Sequence, residues 1–301
     1  MEEYHDYLVR ALACNEEVRA FAVTSKDAVE YARKIHNNSP IATACLGRML
    51  SAGLMMGDML KSNKDLVTIQ IHCDGPLKHV LVTANDNGEV KGYVSNPNVI
   101  LPPNASGHLN VGGGIGKGTL TVIRDFGLKE PYVSTINLHS GEIADDLTYY
   151  FAQSEQTPSS VGLGVLFNKD DVTVKAAGGF IIQLMPHTED SVISKIESNL
   201  ANFTSVTDVL RQGKSPEELL EIVLSGFDIK FTEKKPVFFK CSCSKEKGLI
   251  VLKSLGKKTI DEMVKDNKGA EVVCDFCGKK YEYTPEEVLS LQTETNCKQN
   301  S

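Results

Sequence analysis

Cys241-Ser242-Cys243 and, thirty residues later, Cys274-Asp275-Phe276-Cys277 form two closely spaced cysteine pairs near the end of the chain. Two such pairs are typical of a tetrahedral metal ion held between two chain segments. Four sulfur ligands suit zinc or an iron–sulfur cluster and leave no open position for a hydrolytic water. Gly278 suits the tight turn that follows such a pair. The sequence therefore predicts a structural metal site at Cys241, Cys243, Cys274 and Cys277.

The segment that carries these cysteines, residues 227–301, is predicted to be a small zinc-binding domain. Its patterns indicate strands at 227–239, 249–252 and 271–273, and helical segments at 259–264 and 284–291. Few large apolar residues are present, so the metal is expected to contribute much of the folding free energy.

Residues 187–226, directly before this domain, are predicted to form a helical linker. Apolar residues recur at helical spacing near 191–203, 206–211 and 216–224, and polar turns separate these short segments. Short helices of this kind are marginal alone and depend on the surface that their apolar faces cover.

Residues 1–186 predict an α+β domain built on antiparallel sheet. Short apolar runs around a turn indicate a hairpin at 7–23, and alternating apolar residues indicate a meander at 66–94. Later strands are predicted at 119–124, 133–138, 161–167 and 172–184, the last with a bend or bulge at Gly178-Gly179. Ser25 is expected to cap a helix ending near His36, and residues 41–60 are apolar nearly all round, which predicts a buried helix. A further helix starts near residue 141.

The glycine-rich stretch at 111–119 resembles a phosphate-binding loop, but Gly118 stands where Ser or Thr must follow Gly-Lys. A flexible loop is the better interpretation. The histidines, none of which follows His187, lack ligand spacing and are interpreted as structural residues.

Charge and cysteine content restrict the location and the partners of the protein. The net charge is −7, and residues 231–301 hold thirteen basic and eleven acidic side chains, which argues against nucleic-acid binding.

No apolar run reaches the roughly 20 residues of a membrane span, and the N-terminus lacks the basic region of a secretory signal. Eight cysteines then favour the reducing cytoplasm. We expect Cys14, Cys45 and Cys73 to be buried inert thiols and Cys297 to be free and exposed.

Several short motifs are distributed along the chain, each occurring once. They are Asp74-Gly75-Pro76-Leu77, Gly92-Tyr93-Val94, Gly116-Lys117-Gly118-Thr119-Leu120, Gly141-Glu142-Ile143-Ala144-Asp145-Asp146-Leu147, Ser154-Glu155-Gln156-Thr157-Pro158, and Gly178-Gly179-Phe180 with Gln183 and Pro186. With the C-x-C and C-x-x-C pairs, this set resembles the heat-shock protein 33 family of redox-regulated chaperones over essentially the whole chain.

The resemblance implies a function in addition to a fold. It implies an α/β substrate-binding domain, a metastable linker and a redox-switch domain in which the four cysteines hold one Zn²⁺ as thiolates. Oxidation would form Cys241–Cys243 and Cys274–Cys277 disulfides, release zinc and activate a dimeric, ATP-independent holdase for unfolded client proteins. Such a protein is a chaperone and not an enzyme.

Two other functions remain open on the residues alone. A zinc ribbon could bind nucleic acid or a protein, although that function predicts a basic face bearing aromatic residues. A thiol–disulfide oxidoreductase could use Cys274 and Cys277, although no thioredoxin-like βαβ pattern surrounds them.

Overall fold

The computed structural model describes residues 5–169, 172–266 and 269–297, with side chains as far as Leu291. The chain divides into two compact units, Met1–Lys240 and Cys241–Ser301. Both units mix helices with antiparallel strands, which confirms the predicted α+β class.

The first unit contains two sheets. Sheet A has the order β10-β1-β2-β9-β8, and every neighbouring pair is antiparallel. Its strands are β1 (Tyr7–Ala13), β2 (Val18–Thr24), β8 (Ser159–Phe167), β9 (Val174–Leu184) and β10 (Ile229–Pro236). The hairpin predicted at 7–23 is therefore confirmed as β1 and β2.

Sheet B has the order β11-β5-β4-β3-β6-β7, and only the short β11–β5 pair is parallel. Its strands are β3 (Leu66–Cys73), β4 (His79–Ala84), β5 (Glu89–Val94), β6 (Gly118–Asp125), β7 (Tyr132–Asn137) and β11 (Phe238–Phe239). The predicted meander is confirmed by the antiparallel registers of β3, β4 and β5.

The main core surrounds one helix. Helices α1 (Lys26–His36) and α2 (Pro40–Gly57) follow β2, and α4 (Ile143–Ser154) follows β7. Helix α2 contacts strands of both sheets, so nearly all its residues are buried. This packing explains why its sequence is apolar on every side.

A second core lies on the other face of sheet A. Three short helices cover it: α5 (Asp190–Ala201), α6 (Val206–Leu210) and α7 (Pro216–Val223). Their apolar residues, such as Val209 and Leu220, pack against small strand residues, such as Ala11 and Ala20. The predicted linker helices are thus present, and their apolar faces cover this sheet face.

The second unit is small. It contains α8 (Lys245–Ser254), α9 (Lys257–Lys265), the hairpin of β12 (Ala270–Val273) and β13 (Lys280–Tyr283), and α10 (Pro285–Cys297). Among its described residues, the buried apolar side chains are Leu252, Ile260, Tyr283, Val288 and Leu291. A core of this size stabilises a fold only weakly without a further cross-link.

Four local predictions need correction. Residues 249–252, predicted as a strand, lie within α8, because Ser244 caps that helix and Leu252 packs in the core. The Ser25 side chain bonds Ser51 and does not cap α1. The glycine-rich stretch holds a short helix, α3 (Val111–Ile115), bonded through its carbonyls to Gly75 and Leu77. No register shift occurs at Gly178-Gly179, where an added Cβ would meet neighbouring backbone oxygens.

The boundary before the cysteine unit also differs in position. Strand β10 pairs with β1, and β11 pairs with β5, so residues 227–240 belong to the first compact unit. The sequence patterns grouped them with the zinc domain because they carry no signal for a strand partner so far away along the chain.

Candidate metal centre

The second cysteine pair lies in the turn between β12 and β13. The Gly278 amide donates a hydrogen bond to the Cys274 carbonyl (2.8 Å), and the Cys274 amide donates to Lys279 (2.9 Å). Gly278 has φ +70°, a conformation that favours glycine, as the sequence predicted. The hairpin therefore holds Cys274 and Cys277 at one end of the sheet.

The first pair lies just before α8. The Ser244 hydroxyl oxygen accepts a hydrogen bond from the Lys247 amide (3.3 Å), which caps this helix. The Lys247 ammonium in turn donates to the Ser242 carbonyl (2.6 Å). These bonds fix the segment that carries Cys241 and Cys243.

The four sulfur atoms lie together, all within 4.8 Å of one another. Cys241 and Cys274 sulfurs are 3.7 Å apart, and Cys243 and Cys277 sulfurs are 3.3 Å apart. A tetrahedral ion with bonds of about 2.3 Å to sulfur separates its ligands by about 3.8 Å. The group can hold a single metal ion. Both quoted distances join the two chain segments and not the two members of one pair.

The thiols differ in acidity. Burial raises the pKa of the Cys241 and Cys277 thiols. Burial also opposes ionisation of Cys243, but hydrogen bonds from Tyr281 and the other thiols outweigh it and lower the pKa of Cys243 to about 7. Thiolates are the form that both binds metals and reacts with oxidants.

Aromatic residues contact the metal site from β13. The Tyr281 hydroxyl lies 3.2 Å from the Cys243 sulfur and donates to it, and the Tyr283 hydroxyl donates to the Lys245 carbonyl (2.7 Å). The spacing of the cysteines gave no indication of this direct contact between Tyr281 and sulfur. Alternation along β13 could have indicated that Tyr281 and Tyr283 point to the same side.

Cys14, Cys45 and Cys73 belong to the first unit. Cys45 is buried, and burial raises its pKa to about 12, as expected for an inert thiol. Cys14 and Cys73 are only half-buried, and burial raises the pKa of each thiol. The Cys297 side chain lies outside the described residues.

A second cluster of acidic side chains in the described part of the chain is already neutralised by a cation. Asp58, Asp86 and Glu233 approach one another, and the Lys235 ammonium lies 2.5, 2.7 and 2.7 Å from their oxygens. The lysine ammonium therefore supplies the positive charge that a metal ion would otherwise provide between these carboxylates. In the same described ranges, histidine contributes to no such cluster.

The position of the C-x-x-C pair also bears on the oxidoreductase alternative. Cys274 and Cys277 lie in a β-hairpin turn, whereas the reactive cysteine of a thioredoxin-like motif gains acidity from a helix N-terminus. Geometry therefore favours a metal knuckle over a dithiol active site.

The family model described as "Hsp33 protein" matches residues 6–284. The chain belongs to the Hsp33 family. Curated relatives named "33 kDa chaperonin" are 51% identical in Agathobacter rectalis and 50% identical in Lachnoclostridium phytofermentans. The first match covers 95% of this chain and 99% of the relative, and the second covers 97% and 100%.

A solved Hsp33 structure has the same fold. The 33 kDa chaperonin of Thermotoga maritima, titled a heat shock protein 33 homolog, superposes with a TM-score of 0.88 at 36% identity. The match covers 98% of this chain and all of that one. The resemblance inferred from the motifs is confirmed. Among the described residues, no helix has both the length and the apolar character that crossing a bilayer requires.

Proposed function

We propose that the protein is a redox-regulated, ATP-independent chaperone that holds unfolded proteins and acts by binding, not by catalysis. It is inactive when reduced and zinc-bound, and active as a dimer when oxidised. The observation that carries this proposal is the cluster of four cysteine sulfurs in a unit with a very small core. The relatives' name, 33 kDa chaperonin, supports a chaperone function.

Zinc is the metal that this site suits best. The sulfurs lie within 4.8 Å of one another, which leaves space for one ion and not for a cluster of several irons. When bound, Zn²⁺ would hold all four thiols deprotonated and cross-link the hairpin to the segment before α8. Cys241, Cys243, Cys274 and Cys277 are the proposed ligands.

Oxidation would remove the negative charges that bind the ion. For each disulfide, one molecule of hydrogen peroxide accepts two electrons from two thiolates. With two protons it leaves as two molecules of water, while one S–S bond forms. Membership of the Hsp33 family implies that the disulfides join Cys241 to Cys243 and Cys274 to Cys277, and the short separation of each pair in sequence is compatible with this pairing. The small unit would then lose its main cross-link and unfold.

The linker, residues 187–226, would provide the activated surface. Its helices α5, α6 and α7 have 12, 5 and 8 residues, so few hydrogen bonds hold each one without tertiary contacts. They cover apolar residues of sheet A, and opening them would expose that face to unfolded chains. Residues 227–240 connect the linker to Cys241, so the coupling is expected to run through this segment. Client proteins, not nucleic acids or membranes, are the proposed partners, and the cytoplasm is the proposed location.

Suppression of aggregation tests this function. A chemically denatured client should aggregate freely beside the reduced, zinc-loaded protein and remain soluble beside the peroxide-treated protein. Reductant should reverse the thiol chemistry. Sedimentation should show a larger dimer fraction after oxidation. Salt-sensitive oligonucleotide binding without client holding would instead support a zinc ribbon.

A further inference from the structure

A cavity unrelated to the cysteine site lies within the first unit. It opens where the end of α2, the end of β6 and the end of α4 meet sheet A, and its volume is about 350 Å³. This size is at the lower end of the roughly 300–1,000 Å³ typical of small-molecule sites. The metal centre, the linker and client binding as proposed above do not use it.

Arg19 on β2 lies in the wall of this cavity without a charged partner. Its Nη2 donates to the Gln183 side chain (2.7 Å), and its guanidinium stacks 5.5 Å from the Phe21 ring centre. Its Nε is buried and has no hydrogen-bond partner. Within the described ranges, Arg19 forms no ion pair, so its charge is not neutralised.

The other charged groups of the cavity add to this excess. Arg124 pairs with Glu155 (2.7 Å), and the exposed Lys61 adds a third cation. Three cations therefore face one carboxylate. Burial lowers the pKa of Arg19, the charges of Arg10 and Arg124 lower it further, and the charges of Asp58 and Glu155 offset only part of this effect. A bound anion would relieve this repulsion.

Thr157 adds a hydroxyl group to the wall, and the remaining side chains are apolar. Phe126, Phe151, Met59 and Leu60 line it, with Phe126 partly exposed and Phe151 buried. A bare inorganic anion would leave this surface wet, whereas a ring or alkyl chain would cover it. The planar guanidinium of Arg19 matches a carboxylate in shape.

We propose that this cavity binds a small organic anion, a carboxylate attached to an apolar ring or chain, with Arg19 as the main contact. The carboxylate belongs either to a free acid or to the end of a peptide. Both sources present the same chemistry to Arg19 and to the apolar wall.

Benzoate and its neutral analogue benzamide test the proposal on the full-length reduced protein by NMR titration. We expect saturable shifts for benzoate at residues around the cavity and none for benzamide. Arg19→Gln should weaken benzoate binding about tenfold or more, since a charge-assisted hydrogen bond is lost. Lys34→Gln, which removes one charge from the exposed face of α1, should bind as the original protein does.

Arg19→Lys keeps the charge but loses the planar fork, so it should show weaker binding with an unchanged circular dichroism spectrum. A peptide ending in Phe with a free carboxylate, compared with its amide, distinguishes the source: tighter binding than benzoate assigns a chain end, and weaker binding assigns a free acid. The proposal would be overturned if benzoate and benzamide bound equally, or if benzoate showed no saturable binding. It would also be overturned if both Arg19 variants bound benzoate as tightly as the original protein does.

Discussion

Single cysteine residues decide whether the second unit holds its metal. Replacing Cys243 by Ser leaves three sulfur ligands, which form a poorer structural site than four. We expect reduced wild-type protein to bind one zinc ion per chain and Cys243→Ser to bind it far more weakly, as measured by metal analysis after dialysis against a chelator. Cys14→Ser, which changes a half-buried thiol outside the site, should retain full stoichiometry. Spectroscopic detection of a histidine ligand would contradict the assignment.

Lys235 provides a second test at this scale, because it neutralises a buried carboxylate. Asp58 is only 1% exposed and pairs with Lys235 (2.5 Å) and Arg10 (2.7 Å). Lys235→Met removes one partner and leaves the negative charges under-compensated, so unfolding in urea should require about 2–4 kcal/mol less free energy. Lys230→Met changes an exposed lysine of the same strand and should alter stability little. Equal losses in both variants would show that the cluster is not stabilising.

Glu30 predicts a defined dependence of stability on pH. Hydrogen bonds from Arg33 outweigh burial and, with the Val174 amide, lower its pKa from an ordinary 4.5 to about 2. A carboxylate with a lowered pKa stabilises the fold above its unfolded pKa and loses that contribution as pH falls toward about 2. Between about pH 5 and pH 3, wild type should therefore lose about 1–2 kcal/mol more than Glu30→Gln. Glu130→Gln, at an exposed position, should follow wild type. Parallel curves for Glu30→Gln and wild type would refute this role.

Residue patterns predicted the cluster of four cysteines better than the helix caps. The spacing of the cysteines was sufficient to predict four sulfurs in one place, because few arrangements use two close pairs. The start of α1 was predicted less well. The Asp6 carboxylate, from before β1, accepts the Asp27 amide hydrogen bond (2.6 Å), while Ser25 bonds Ser51. Sequence near the helix carries no sign of an acceptor that comes from a distant segment.

At the scale of elements, short apolar runs around a turn predicted the hairpin of β1 and β2, whose residues pack in both cores. Alternation predicted the meander, because one face of each of its strands packs in a core. It failed at residues 249–252, where four apolar residues in a row fit a strand or a helix equally. The Ser244 cap and the close approach of the Tyr283 hydroxyl to Gly248 favour a helix, α8, over a strand at these residues. That contact is tertiary and leaves no local signal.

The linker helices should be the least stable elements of the inactive form. Leu220 of α7 is fully buried against sheet A, so Leu220→Ala should leave a cavity that costs about 2–5 kcal/mol. We expect amides of α5–α7 to exchange faster than those of β9 in wild type, and faster again in Leu220→Ala. The reduced variant should also hold some client. Glu221→Ala, on the exposed side of α7, should match wild type. Equal protection of α5–α7 and β9 would contradict a metastable linker.

At the scale of the whole molecule, the chain combines a large core with a small unit in which four cysteine sulfurs lie together. The class and the order of these parts were predictable from composition and periodicity. The surface that the linker covers was not predictable, because the sequence of an amphipathic helix shows which face is apolar but not which sheet that face contacts. The assignment of residues 227–240 to the first unit likewise depends on strand pairing over more than 200 residues, as between Tyr7 and Pro236.

The central claim is that oxidation of the four cysteines opens the linker and that the opened linker creates the client-binding surface. The most direct measurement follows amide exchange in residues 190–223 and suppression of client aggregation on one sample during peroxide treatment. We predict that both rise together as zinc is released and that both remain low in the reduced, zinc-loaded protein. Client holding that is equally high before oxidation, or that rises while these amides stay protected, would contradict the account.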